Sequence, residues 1–183
     1  MNLINVYKKV ISFLNKEKFE YIVIGGIAVG IIGEPKMTGG IDIDIILNKR
    51  NISEFLEKAK KFGFKFSKAT CIQRAKTSGI FQISLADYRI DFIIASINLE
   101  KEAIKRKKII EVHETPSNFP TPEDLILLKI IPGRKQDVVD AEKIAIRHRG
   151  KLDTNYLENW AQKLSDESED MRIYNELKRL LSL

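Results

Sequence analysis

Two aspartates, Asp42 and Asp44, stand two positions apart inside the otherwise aliphatic run "GIDIDIIL" (40–47). In a β-strand, residues i and i+2 share a face, so these carboxylates lie side by side with Cα atoms roughly 7 Å apart. Holding like charges together in an apolar setting is costly unless a cation lies between them. Asp91, in "YRIDFIIA" (88–95), sets a third carboxylate in a second apolar run. If the two runs are neighbouring strands, three hard oxygen donors converge, a set suited to Mg²⁺ or Mn²⁺. Two such ions about 4 Å apart activate an attacking hydroxyl and stabilise a departing pyrophosphate in an in-line displacement. Asp42, Asp44 and Asp91 are therefore the expected metal ligands and catalytic acids. By itself a D-x-D strand is more often a solvated sheet face, so the surrounding residues have to decide.

The glycines shift that balance. Gly25 and Gly26 follow the short apolar run "EYIVI" and precede "IAVGII". A glycine doublet where a buried strand turns into a helix lets the backbone approach a phosphate while the helix start supplies N–H donors. A dinucleotide-binding fingerprint is excluded, because the middle position of G-x-G-x-x-G is Ile27. The aspartates also stand inside the second strand, whereas a ribose-binding acid belongs at its end.

With these residues in view, "YIVIGGIAVGIIGEPKMTGGIDIDIIL" (21–47) resembles the opening motif of the DNA polymerase β-like nucleotidyltransferase superfamily. It is most similar to the small bacterial and archaeal branch that includes the nucleotidyltransferase toxins of toxin–antitoxin systems. That branch pairs a glycine doublet with a P-R-x-T-x-D-x-D segment. "TPEDLILLKIIPGRKQDVVDAEKI" (121–144) resembles its helical motif, with Lys129, Arg134, Asp137 and Asp140 at the matching positions. The resemblance spans roughly residues 20–145 and implies a mixed α/β sheet flanked by helices. It implies transfer of a nucleoside monophosphate from a nucleoside triphosphate to a hydroxyl acceptor, which could be an RNA 3′ end, a protein or a small molecule. Mg²⁺ or Mn²⁺ is the implied cofactor and a cognate antitoxin a possible partner. Gly25, Gly26, Lys36, Thr38, Lys129, Arg134 and Asp137 are implied to bind the nucleotide.

The sequence departs from that pattern in two places. Counting from Thr38, the branch's first aspartate falls at Gly40 and its second at Asp42, leaving Asp44 as an additional acid. Either the working pair has moved to Asp42 and Asp44, or the first ligand is lost and the chain binds nucleotide without efficient transfer. Lys36 stands where the branch has arginine, which keeps the charge but loses the bidentate fork.

These residues need elements to hold them. Apolar spacing predicts a helix over 2–17, a strand ending at Gly25, and a short helix after it. The strand carrying Asp42 and Asp44 follows. Asn51 with Glu54 gives a capping-box pattern for the next helix. Further strands are expected at about 64–68, 79–85 and 89–95, the last two forming a hairpin, and at about 108–113. Thr121, Pro122 and Asp124 open a helical third with helices at about 122–131, 135–148, 154–165 and 168–182. The expected organisation is an α/β domain over 1–118 and a helical region over 119–183 packed on it, divided at the Pro-rich segment 116–122.

Composition bounds the rest. The 183 residues are 44% hydrophobic and 31% charged, as in a globular protein. No apolar run reaches the roughly 18 residues of a membrane span, and the N-terminus lacks the apolar centre of a signal peptide. Cys71 is the single cysteine, which excludes an internal disulfide and makes a cytoplasmic setting the expectation. The net charge of +6 and pI near 9.3 favour an anionic partner only mildly. A plain RNA-binding protein using "KEAIKRKK" (101–108) and "RHRGK" (147–151) is the remaining alternative.

Overall fold

A computed structural model describes residues 1–183. Helix α1 (Leu3–Lys16) opens the chain, its first turn capped by the Asn2 side chain, which accepts from the Asn5 amide. Strand β1 (Tyr21–Ile24) leads directly into α2 (Gly25–Ile32), and β2 (Gly40–Ile45) returns antiparallel to β1. After α3 (Ile52–Lys61) and α4 (Lys68–Thr77), the hairpin β3 (Ile80–Leu85) and β4 (Tyr88–Ile94) completes a mixed sheet of order β1-β2-β4-β3. β4 runs parallel to β2, and this pairing brings the two aspartate-bearing strands together.

The strict alternation of the strands gives the sheet two unlike faces. Tyr21, Val23, Ile41, Ile43, Ile45, Phe81, Ile83, Ile90, Phe92 and Ile94 all point to the buried side. There α1 and α3 cover them, α3 presenting Ile52, Phe55, Leu56 and Ala59 at helical spacing. Phe55 is the keystone: its ring meets those of Phe13, Phe81 and Phe92 at 5.4, 5.4 and 5.1 Å. Truncating such a residue to alanine costs about 3–5 kcal/mol. The opposite face carries Asp42, Asp44, Gln82, Arg89 and Asp91. It is covered at β1 by α5 (Asn98–Lys105) and α6 (Pro122–Ile130), where Ile22, Ala103, Ile104 and Leu128 pack, and is left open above the aspartates.

A two-stranded hairpin, β5 (Lys108–Val112) and β6 (Thr115–Phe119), lies against β1 and α1. The chain then closes with α6, α7 (Lys135–Arg147), α8 (Thr154–Ser168) and α9 (Arg172–Leu181). These helices share one continuous core with the sheet, running from Val6 to Leu180. Asp124, fully buried on α6, ties them in. It accepts from Thr121 Oγ1 at 2.8 Å, Tyr156 OH at 2.5 Å and Arg106 Nε at 3.1 Å, and the Arg106 guanidinium lies over the Tyr156 ring. Arg172 at the start of α9 donates to the carbonyls of Ile130 and Ile131, where α6 ends.

Two local expectations are corrected, the strand at 64–68 and the Asn51 capping box. Residues 64–68 form no strand: a single bridge joins Lys65 to Ser84, and α4 begins at Lys68 with Ser67 as its cap. Asn51 precedes α3, but its side chain makes no capping hydrogen bond. The Pro-rich segment 116–122 is largely strand β6, which tolerates Pro116 because it belongs to a two-stranded ribbon with an open edge. No helix is long and apolar enough to cross a membrane.

Candidate active site

The register of β2 and β4 sets Asp42 opposite Asp91, while Asp44 falls opposite Ile93. All three carboxylates project from the open face and line a cavity of about 680 Å³ bounded by α2, α4, α6 and α7. Gly25 explains the glycine doublet. It has φ +64°, and a β-carbon there would stand 1.9 Å from Oδ2 of Asp42. Only glycine allows the start of α2 to sit on this carboxylate. A β-carbon on Gly26 would meet Cβ of Thr38 at 2.8 Å, so the second glycine packs the helix against the loop before β2.

The acids are poorly compensated. No ion pair reaches Asp42, Asp44 or Asp91. Burial, then the neighbouring Asp91 charge, raises Asp42 above the ordinary carboxylate range, against the pull of Lys129. Asp44 is 2% exposed and its Oδ1 has no hydrogen-bond partner. Burial, then Glu100 and Asp42, hold it well above the usual value. Asp91 accepts a 2.6 Å hydrogen bond from Gln82 Nε2, its neighbour across the hairpin. Two neighbouring carboxylates with no basic side chain paired to them, beside the orphaned Oδ1 of Asp44, are a donor set that fits a divalent ion. The expected cage of three ligands is not preformed, since no three Asp, Glu, His or Cys side chains are grouped to share one ion. Asp44 sits one residue pair deeper than Asp42 and Asp91, and the register brings together only those two.

The basic residues also differ from expectation. Lys36 Nζ is 2.8 Å from both oxygens of Asp140, and Lys129 Nζ is 2.7 Å from Asp137 and 3.3 Å from Asp140. Burial works against ionisation of Asp140, but hydrogen bonds from Lys36 and Gln136 and the charge of Lys129 hold it below its ordinary value. Both lysines line the cavity, yet their charges are already matched on α7. Arg134 is free by comparison, its side chain 79% exposed and 3.9 Å from Asp137. Thr38 lies outside this cavity. It donates to the Gly40 carbonyl and lines a neighbouring, mainly apolar space of about 270 Å³ with Tyr7 and Ile27. Sequence reasoning missed Arg74, Gln82, Arg89 and Glu100, all cavity-lining. Gln82 and Arg89 could have been found, since both occupy the polar phase of strands whose other phase is apolar.

A family described as nucleotidyltransferase of unknown function (DUF6036) matches residues 1–182. The chain belongs to this family. Among curated proteins no sequence matches. The nucleotidyltransferase shares its fold with the antibiotic-resistance factor ANT(2″)-Ia. In the solution structure of that protein the identity is 12%, the TM-score 0.51, and coverage 98% of this chain and 89% of the other. In its crystal structure with adenylyl-2″-tobramycin the identity is 12%, the TM-score 0.50, and coverage 98% and 96%. An antigenic nucleotidyltransferase-like protein from Paracoccidioides brasiliensis matches at 13% identity and TM-score 0.48, over 95% of this chain and 91% of that one. At such identities the likeness is one of fold.

Proposed function

We propose that this nucleotidyltransferase moves a nucleoside monophosphate from a nucleoside triphosphate to a hydroxyl acceptor, releasing pyrophosphate, with Mg²⁺ or Mn²⁺ as cofactor. The supporting observation is the pairing of Asp42 with Asp91, without a basic partner, beneath the Gly25–Gly26 start of α2. The 680 Å³ cavity suits a ligand of nucleotide size, for which about 300–1,000 Å³ is usual.

Asp42 and Asp91 would hold the cation, which supplies charge neutralisation for the carboxylates and for the phosphoryl oxygens as pyrophosphate leaves. Mg²⁺ is commonly bound by one or two carboxylates, with substrate phosphates and water completing the shell, so a pair suffices. The free amides at the start of α2 donate to phosphate oxygens, aided by the helix dipole. Arg134 reaches the same anion from the α6–α7 turn. Asp91, fixed by Gln82, accepts the proton of the attacking hydroxyl. Among proteins of this fold, ANT(2″)-Ia has been seen with adenylyl-2″-tobramycin, an adenylylated small molecule.

The test is transfer of label from an α-labelled triphosphate by wild type, Asp42→Asn and Asp91→Asn, with Mg²⁺, Mn²⁺ or chelator. Wild type is expected to transfer label only with a cation, and each variant to lose about 10²–10³-fold or more. Undiminished transfer by both variants overturns the assignment. Gly40 supports a second reading, a nucleotide-binding module of a toxin–antitoxin pair. It predicts triphosphate binding without transfer by the wild type, and a stable complex with the cognate antitoxin.

A further inference from the structure

The cavity's free cations are unevenly placed. On the α6–α7 side, Lys36 and Lys129 are matched by Asp137 and Asp140, which leaves the exposed Arg134 as that wall's one loosely held cation. On the opposite wall, Arg74 of α4 and Arg89 of β4 line the cavity, exposed and without an ion pair or side-chain hydrogen bond. The carboxylate pair lies between the two walls, Arg89 standing two residues before Asp91 on the same strand face and opposite Gly40.

The Arg74 wall continues beyond the cavity. Arg74 and Gln82 also line a second space of about 230 Å³, with Lys65, Phe66, Ser67, Thr70 and Ser84 among its other walls and no acidic residue. Lys65 is likewise free of ion pairs. One path therefore runs from the carboxylates, past Gln82 and Arg74, to a basic, hydroxyl-lined recess with an aromatic ring. Guanidinium groups bind phosphate bidentately. Cations combined with an aromatic ring are how proteins hold single-stranded nucleic acid. A polycationic small acceptor would find no acid along this wall.

We propose that Arg74, Arg89 and the Lys65–Phe66 recess bind the acceptor, and that the acceptor is the 3′ end of a single-stranded nucleic acid. Its terminal hydroxyl lies at Asp91 and its preceding phosphates on the two arginines. In the reaction the 3′ oxygen forms a bond to the α-phosphorus, the α–β bridging bond breaks, the hydroxyl proton passes to Asp91 and pyrophosphate departs. The inference rests on the transfer reading above and adds the acceptor class to it.

The test uses a 5′-fluorescein-labelled ten-nucleotide oligoribonucleotide, its deoxy counterpart and a fluorescent triphosphate analogue, titrated against wild type, Arg74→Ala/Arg89→Ala and Phe66→Ala. The double variant is expected to bind oligonucleotide at least 10-fold more weakly. Loss of two phosphate contacts should reduce its salt slope by about 1.4, while triphosphate affinity stays within 2-fold. Phe66→Ala should weaken the oligonucleotide alone. Ribo- and deoxyribo-oligomers that both bind through the arginines support the proposal and differ only in sugar preference. Equal oligonucleotide binding by wild type and double variant overturns it, as does label transfer to a neutral or cationic acceptor at a rate the double substitution leaves unchanged. A wild type that binds oligonucleotide through the arginines but no triphosphate overturns the transfer reading and leaves the nucleic-acid wall standing.

Discussion

The position a β-carbon would take on Gly25 lies 1.9 Å from Oδ2 of Asp42. Helix α2 and the carboxylate pair are thus interlocked through one missing methyl group. In Gly25→Ala the Asp42 side chain must swing aside, and alanine must hold φ +64° at a cost of about 1–2 kcal/mol. Transfer should fall at least about 100-fold, as misplacement of reacting groups by an ångström does. Single-turnover kinetics beside an unchanged circular dichroism spectrum check it.

Gln82 holds one oxygen of Asp91 at 2.6 Å. Gln82→Leu keeps the bulk and removes the hydrogen bond. It should lower turnover by about 10–100-fold, in line with removing a partner that orients a ligand. Triphosphate affinity should remain unchanged, and a comparison of turnover with fluorescent-analogue binding separates the two effects.

Asp44 gives a pH prediction. Its carboxyl is buried and binds its proton more tightly in the folded chain than in the unfolded one. Stability therefore falls as pH rises from the unfolded carboxylate value of about 3.9 towards the raised folded value, and the cost is complete above it. Metal-free Asp44→Asn lacks that cost. Its advantage over wild type should be small near pH 4 and grow towards neutrality, each 1 kcal/mol appearing as about 2–4 °C in melting temperature. A difference that does not change with pH contradicts the assignment.

Asp124 accepts three side-chain hydrogen bonds at a fully buried position. Asp124→Ala leaves the buried Thr121 and part-buried Tyr156 hydroxyls without their shared acceptor, while Arg106 can turn to water, and should cost about 3 kcal/mol in denaturant unfolding. Tyr156→Phe removes one hydrogen bond to a charged group and should cost about 1.5–3 kcal/mol.

Gly40 has room: a β-carbon there meets only the Arg89 carbonyl oxygen, at 3.4 Å. Gly40→Asp adds an acid on the face of Asp42. It should fold as wild type and lower the Mg²⁺ concentration needed for half-maximal transfer, which a metal titration reads directly.

The strands carrying the aspartates could be read from the sequence because isoleucine alternation is a short-range signal. The parallel pairing of β2 with β4 could not, since nothing local says which strands are neighbours. For the same reason the sequence offered Lys36 and Lys129 as phosphate ligands. Lys36 meets Asp140 across 104 residues of sequence and Lys129 meets Asp137 across eight, and only the fold joins them. Helix α4 was invisible for another reason. It buries only Cys71 and Ala75, too few apolar positions to outline a face. Thr38 matched a motif position, and the fold packs it against Gly26 and bonds its hydroxyl to the Gly40 carbonyl.

Arg172 reaches back to the carbonyls of Ile130 and Ile131, and its guanidinium sits 2.9 Å from where a β-carbon on Gly133 would be. The bend that presents Arg134 is thus clasped by a residue far downstream. During synthesis that clasp emerges later than the strands that carry the aspartates, so the rim bearing Arg134 is the last part of the cavity to gain its fixing contact.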